Sequence, residues 1–334
     1  MKLLDAEHWS SDALAGLDWG EGAPPEAPVP QQVLVVVAGQ SRVLARCALW
    51  WRDTPMLDLQ AVGLIGQFWS RDGEASRLLL TEAAAWLAGR GRSLVVGPMD
   101  GNTWHAHRLV TWSDGSAPFP LEPQQPAEWV AHWQSAGFAP ALHYHSALAT
   151  PGAGDDPRSE RVWRRLRPQG LRLRPLDTDH FEQDLAAIHR LSLQSFRHNL
   201  LYQPQSWEDF RQQYLPLKSV HEPAATVLAE DDSGLAGFLF AYPAPGQQAP
   251  RLVLKTIAVR PGRDCAGLGL LLADHAYRAA REGGYERVIH ALMQDGNRSA
   301  VMRADGARVF RRYALLARRW ADSAGSDAAS GERA

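Results

Sequence analysis

The chain has 334 residues, 45% of them hydrophobic and 22% charged, with 13 Trp, which is enough apolar material for two packed units and excludes disorder as a global description. Its formal net charge of −2, from 35 basic and 37 acidic residues, gives no overall attraction to nucleic acid or anionic lipid, and any nucleic-acid role would need a local patch. Cys47 and Cys265 are too few for a disulfide framework, and no apolar run reaches the roughly 18 residues that span a bilayer.

The first residues, MKLLDAEHWSSDALAG, lack the apolar centre and small-residue cleavage site of a secretory signal. A cytoplasmic protein with no membrane partner is expected. The Pro- and Gly-rich stretch from Gly20 to Gln32 reads as a loop. Strands are predicted at Gln32–Val37, Val43–Trp51 and Ala61–Phe68. A helix from Ser76 to Leu87 stops at Gly89-Arg90-Gly91, and a strand resumes over Leu94–Val96. The segment Gly97 to Arg108, GPMDGNTWHAHR, is rich in turn formers and polar groups; it could line an acceptor cleft or be a loop packed by Trp104. A helix over Ala127–Ser135 precedes a strand pair ending near Ala149. Residues 1–150 form one unit on this reading, and PGAGDDPR opens a linker over 151–168.

The second unit, 169–320, begins with an alternating strand at Leu171–Leu176 and a helix over Asp177–Arg197. Ser206 can cap a further helix through Leu217. Strand-like runs follow at Ala225–Ala229, Leu235–Tyr242 and Leu252–Val259. A glycine-bearing turn leads into an amphipathic helix, Gly267–Glu282, which Gly283 and Gly284 close. Arg287–Met293 is strand-like, Asn297–Ala304 could be a short helix, and Ala307–Trp320 alternates as one or two strands. The stretch 321–334, of Ala, Ser, Gly and charge, reads as a disordered tail. The succession of strand, helix, strand and helix recurs in both units, which points to a divergent internal duplication. The fold class is α/β with a mixed, mostly antiparallel sheet.

The informative segment is KTIAVRPGRDCAGLGLLL, Lys255 to Leu272. A β-branched strand stops at Pro261, and Cys265-Ala266-Gly267-Leu268-Gly269 opens a helix. Unpaired backbone N–H groups at the positive end of a helix dipole suit a pyrophosphate, and glycines let that backbone approach closely. The pattern of Val259, Pro261, Gly267 and Gly269 resembles the acetyl-CoA-binding motif V-x-P-x-x-[RQ]-x-x-G-x-[GA] of GNAT N-acetyltransferases. The following ERVIHALMQDGNRSAVM, with Asn297 and Ala300, resembles that family's next strand and helix start. The resemblance covers about Leu171 to Trp320, and the whole chain is similar to tandem-GNAT proteins with a degenerate first copy.

That resemblance implies acetyl-CoA as acyl donor, with no metal. It implies that Ile257, Ala258 and Val259 run along the pantetheine arm, with the backbone of Ile257 and Val259 bonding it. Arg263, Asp264, Cys265, Ala266, Gly267, Leu268 and Gly269 would surround the pyrophosphate, and Asn297 and Ser299 would lie near the pantetheine or the 3′ side. Asp264 departs from the pattern, standing where Arg or Gln is usual. Either its carboxylate turns to solvent while Arg263 swings in, or affinity for CoA is low.

Acetyl transfer to an amine needs a proton acceptor, polarisation of the thioester carbonyl and an acid for the leaving thiolate. The Val259 N–H can polarise the carbonyl. His290, mid-strand in VIHALM, is the candidate base, its alternative being a hydrogen-bonded core histidine. The family's usual Tyr falls on Ala304; Tyr313 is the nearest substitute acid, or else an ordinary strand aromatic. In the first unit, SRDGEASR lacks the V-x-P lead and the second glycine, so it should not hold CoA. The pairs His105/His107 and His143/His145 have no acidic or Cys partner at metal-ligand spacing.

The expected activity is acyl-CoA-dependent N-acyl transfer to a small-molecule or peptide amine in a ternary complex, by a monomer or homodimer. The alternatives are a non-catalytic acyl-CoA-binding protein, or a tandem-GNAT enzyme of the mycothiol-synthase or Fem-type aminoacyltransferase kind. The Fem-type reading needs a basic patch for tRNA, for which Arg311, Arg312, Arg318 and Arg319 are the one cluster; solvated strand arginines explain it equally well.

Overall fold

A computed structural model describes residues 1–152, 154–244, 249–296 and 306–320. The expected helix at Asn297–Ala304 and the tail 321–334 lie outside them. The first half contains β1 (Lys2–Ala6), β2 (Gln32–Ala38), β3 (Arg42–Trp50), a small ribbon of β4 (Met56–Leu57) and β5 (Gln60–Ala61), and β6 (Gly63–Ser70). Helix α1 (Gly73–Ala88), β7 (Leu94–Gly97), β8 (Leu109–Ser113), α2 (Glu128–Ser135) and β9 (Ala139–Ala149) complete it. The second half contains α3 (Pro157–Leu166), β10 (Arg172–Pro175), α4 (Phe181–Ser195), α5 (Trp207–Tyr214), β11 (Val227–Asp231) and β12 (Gly234–Ala244). It ends with β13 (Arg251–Val259), α6 (Leu268–Glu282), β14 (Arg287–Gln294) and β15 (Arg308–Arg319).

The two halves repeat one plan. In each, an antiparallel meander (β1-β2-β3-β6, then β10-β11-β12-β13) is followed by a helix and a parallel partner. The parallel pairs are β6 with β7 across α1 and β13 with β14 across α6. A crossover helix is what a parallel pair requires. Alternation of apolar residues packs α1 on one face of the first half, through Leu79, Leu80, Ala83 and Leu87. It packs α6 on the second half through Leu268, Leu271, Leu272 and Ala276, while α4 and α5 cover the opposite face through Phe181, Leu185, Ile188 and Phe210.

The repeats do not close separately. The strand order is β1-β2-β3-β6-β7-β15-β9-β14-β13-β12-β11-β10, with β8 also against β15. The last strand of each half thus pairs with the other half's parallel strand, β15 with β7 and β9 with β14, and the two pair with each other. One continuous sheet results. The last region, expected as one or two strands, is the single strand β15, and the expected strand pair before Ala149 is the single strand β9.

The stretch 151–168 is not a passive connector. Asp156 caps α3, whose Pro157 sits in the first turn, as proline's fixed φ favours. The Asp156 N–H and the Ser159 hydroxyl both donate to Asp274 on α6, at 2.8 and 2.7 Å. Alternating charge hid this helix from a composition-based reading.

Candidate functional site

The turn from β13 into α6 has the geometry of an anion cradle. Gly267 precedes the helix at φ 81°, in the left-handed region, and α6 has no side-chain cap. The Ala266 and Leu268 amides close turns onto Arg263 and Cys265 carbonyls, at 3.2 and 3.1 Å. Among the described residues the Gly267 and Gly269 amides have no acceptor, which leaves two N–H groups at the positive end of a helix. In the first half the corresponding turn is closed by its own chain. There Asp72 caps α1 by accepting from the Ala75 amide at 2.7 Å, and the Arg71 amide is bound to Leu44.

Asp264 does turn outward. Its carboxylate lies 3.2 Å from Arg260, which also pairs with Asp231, and these contacts hold the Asp264 carboxyl below its ordinary range. Arg263 is exposed beside the turn. A cation that sequence reasoning missed also arrives here: Arg165 of α3 donates to the Ala266 carbonyl. Its signal was the RR pair of an unrecognised helix.

Beyond the turn, β13 and β14 separate. Their last paired residues are Leu254 and His290. On its other side β13 stays bonded to β12, where Phe240 opposes Thr256 and Ala241 opposes Leu254, so Lys255 is the extra residue of a bulge. The Arg260 amide donates to Ala236 of the β12 side at 2.7 Å. Antiparallel alternation therefore turns Ala258 toward β12 and aims the N–H and C=O groups of Ile257 and Val259 into the gap. A linear chain with amide groups could add there as a strand would.

On the α5 side of this gap lie side chains of both halves. The Lys255 ammonium is 5.6 Å from the Tyr214 ring, and burial, with the charge of Arg108, lowers its pKa to about 8. The Arg108 guanidinium stacks 4.0 Å from the Tyr144 ring and donates to the Leu292 carbonyl at 3.3 Å. Trp104 packs against Phe196, Tyr202 and Phe210 and donates to the Gln203 carbonyl at 2.8 Å. The 97–108 segment thus packs over the second half.

The two expected proton-transfer groups, His290 and Tyr313, are both buried and hydrogen-bonded. His290 points to the α6 face, with Nε2 2.7 Å from the Tyr277 hydroxyl. Burial, with a smaller contribution from His145, lowers its pKa to about 4, so it is a weak base at neutrality. The Tyr313 hydroxyl, in a residue only 1% exposed, donates to Glu122 and lies 3.0 Å from Ser146. Burial and the Glu122 carboxylate raise its pKa far above the usual phenol value, which makes it a poor acid for a thiolate. Asn297, Ser299 and Ala304 lie outside the described residues.

The first-half counterpart of the gap is filled. The Met99 amide donates to Ile65 at 2.9 Å, and Asp100 accepts from the Gln67 amide at 2.6 Å. A Cβ on Gly66 would stand 2.3 Å from the Met99 carbonyl oxygen, so this backbone packs where a ligand would need to enter. Among the described residues no group of three His, Cys, Asp or Glu could hold a metal ion. No helix among them is long and apolar enough to cross a membrane.

Comparison with known proteins agrees with this geometry. Residues 185–302 match the model of the Acetyltransferase (GNAT) family, and this segment of the chain is similar to that family. A curated relative, a bacterial ceramide synthase of Caulobacter vibrioides (strain NA1000 / CB15N), is 26% identical over 173 residues, 52% of this chain and 45% of that protein. The match spans less than half of that relative's length. The GCN5-related glucosamine N-acetyltransferase region of a fungal multi-domain GH3 beta-N-acetylglucosaminidase is similar at TM-score 0.50 and 12% identity, over 86% of this chain and 33% of that chain. That likeness is one of fold. A tandem GNAT protein from the clavulanic acid biosynthesis pathway is similar at TM-score 0.48 and 18% identity, over 90% of this chain and 86% of that chain.

Proposed function

We propose that the chain is an acyl-CoA-dependent N-acyltransferase, using acetyl-CoA as donor and an amine held between its two halves as acceptor. The carrying observation is the uncapped turn at Gly267 beside an open β13 edge, set against the closed equivalents at Asp72 and Gly66. The residues fit a CoA thioester as substrate. Free amides at Gly267 and Gly269, with Arg263 and Arg165 alongside, supply the diphosphate's partners. Ile257 and Val259 offer backbone groups to the pantetheine amides, and an N–H of this β13 edge would meet the thioester carbonyl. The neutral amine attacks the carbonyl carbon directly, the tetrahedral oxyanion accepts a hydrogen bond from that N–H, and the C–S bond breaks; the proton lost by the nitrogen ends on the departing thiolate, giving the amide and free CoA thiol.

On this reading 1–150 is a degenerate GNAT-like copy that shapes the acceptor cleft, 151–168 carries a supporting helix, and 169–320 binds the donor. The name of the Caulobacter relative favours a second donor, a longer acyl chain. Calorimetric titration with acetyl-CoA and palmitoyl-CoA, followed by thiol release against an amine panel, tests both. Ala266→Asp, which adds a carboxylate beside the cradle at an exposed position, should weaken donor binding at least about tenfold. Binding without thiol release for every amine would make this a carrier rather than an enzyme, and unaltered binding by the Ala266 variant would remove the cradle from the account.

A further inference from the structure

We propose that Arg108 and Lys255 form an anion site at the mouth of the β13–β14 gap, and that the acceptor is an amine carrying a carboxylate a few bonds from its nitrogen. This deepens the acyl-transfer reading and rests on it. Arg108 is held in a conformation unusual for its residue type, φ 75°, by its own N–H to the Pro98 carbonyl at 2.9 Å. Leu292, whose carbonyl it reaches, is also left-handed at φ 57°. Such backbone persists where surrounding structure enforces it and clusters at functional sites.

The partners of this guanidinium are the Leu292 carbonyl, the Tyr144 ring and His107 Nε2. His107 is neutral, because burial and the Arg108 charge push its pKa well down, and its Nδ1 lies 2.8 Å from the His105 carbonyl. Among the described residues Arg108 Nε is buried without an acceptor, and no ion pair between them reaches Arg108 or Lys255. Arg46, in the first half, shows what a structural buried arginine looks like here: three carbonyls, of Gly22, Gln67 and Ala23, absorb its donors. Two adjacent cations with a spare donor and no counter-ion are costly in the free protein, and a bound anion offsets that cost.

The position selects the ligand. Lys255 is the first residue past the last β13–β14 pair, so the cations stand next to where a thioester in the gap would present its carbonyl. An amine attacking there has its anionic group within a few bonds. A planar guanidinium with one ammonium matches a carboxylate, as in an α-amino acid.

The test uses the full chain and the acyl-CoA it turns over. The ratio of kcat/KM for each α-amino acid to that for its α-carboxamide should reach about 100 for the preferred acceptor, and Arg108→Gln and Lys255→Met should each bring it toward one, with partial recovery in Arg108→Lys. Phosphoethanolamine, run alongside, would displace the carboxylate assignment if it outperforms every amino acid. A wild-type ratio at or below one, or one that survives Arg108→Gln in a variant with native circular dichroism, overturns the site. If nothing turns over, calorimetric binding of the same pairs to the CoA-saturated protein reads the same ratio, and equal binding overturns it too. Failure of acyl-CoA itself to bind would instead bring down the underlying transferase reading.

Discussion

His290 shows how its setting decides what a single side chain can do. The sequence places an imidazole mid-strand beside β13, but strand alternation turns it to the α6 face and against Tyr277. Its folded pKa of about 4 against an ordinary 6.5 means that the unfolded chain binds more protons between those values. Stability therefore rises with pH across that window and is lost as pH falls through it. His290→Asn should flatten this acid loss while leaving the pH–rate profile of thiol release in place. A profile whose limb disappears would restore His290 as the base. Tyr313→Phe should likewise keep turnover per folded molecule, while removing a bond to the buried Glu122 costs about 1–3 kcal/mol in denaturant unfolding. Neither role was legible from the chain, because Glu122 is distant in sequence and hydrogen bonding decides both. Arg108 and Lys255 were missed for the same reason: only the packing of loop 97–108 on the second half brings them together.

At the scale of elements the sequence was most explicit at the β13–α6 turn. Val259, Pro261, Gly267 and Gly269 mark strand end, turn and helix start through local backbone chemistry, which needs no tertiary information. Ser206 as a cap, accepting from the Asp209 amide at 3.1 Å, and the stop at Gly283 were readable for the same reason. Helix α3 was not, since its stability comes from Asp274 and the α6 surface rather than from a long apolar stripe. The departure at Asp264 resolves into an exposed ion pair with Arg260, and such pairs contribute little. Asp264→Gln should therefore leave the melting temperature within experimental scatter and tighten acetyl-CoA binding about three- to tenfold by removing a negative charge near the diphosphate. Weaker binding by this variant would show that Asp264 orders the turn instead of opposing the ligand.

Across the whole molecule, duplication was visible as a repeated order of elements, whereas the exchange of β9 and β15 was not. Strand periodicity tells which face is buried but not which neighbour a strand takes. The exchange has a consequence for the halves as independent units. Residues 169–320 alone keep β15 but lack β9, which covers β14 through Ala147, Leu148 and Ala149, and residues 1–150 lack the strand that covers β7. Each fragment exposes sheet edges, so 169–320 expressed alone should aggregate and co-expression with 1–150 should restore solubility. A soluble monomer of 169–320 with cooperative unfolding would contradict the shared sheet.

The central claim, that free amides at the start of α6 receive a diphosphate, is tested most directly by amide NMR of the ¹⁵N-labelled chain during titration with CoA. The account predicts the largest shifts at Gly267 and Gly269, with little change at Ala75 in the capped first-half turn. Saturable binding whose perturbations miss Gly267 and Gly269 would contradict it.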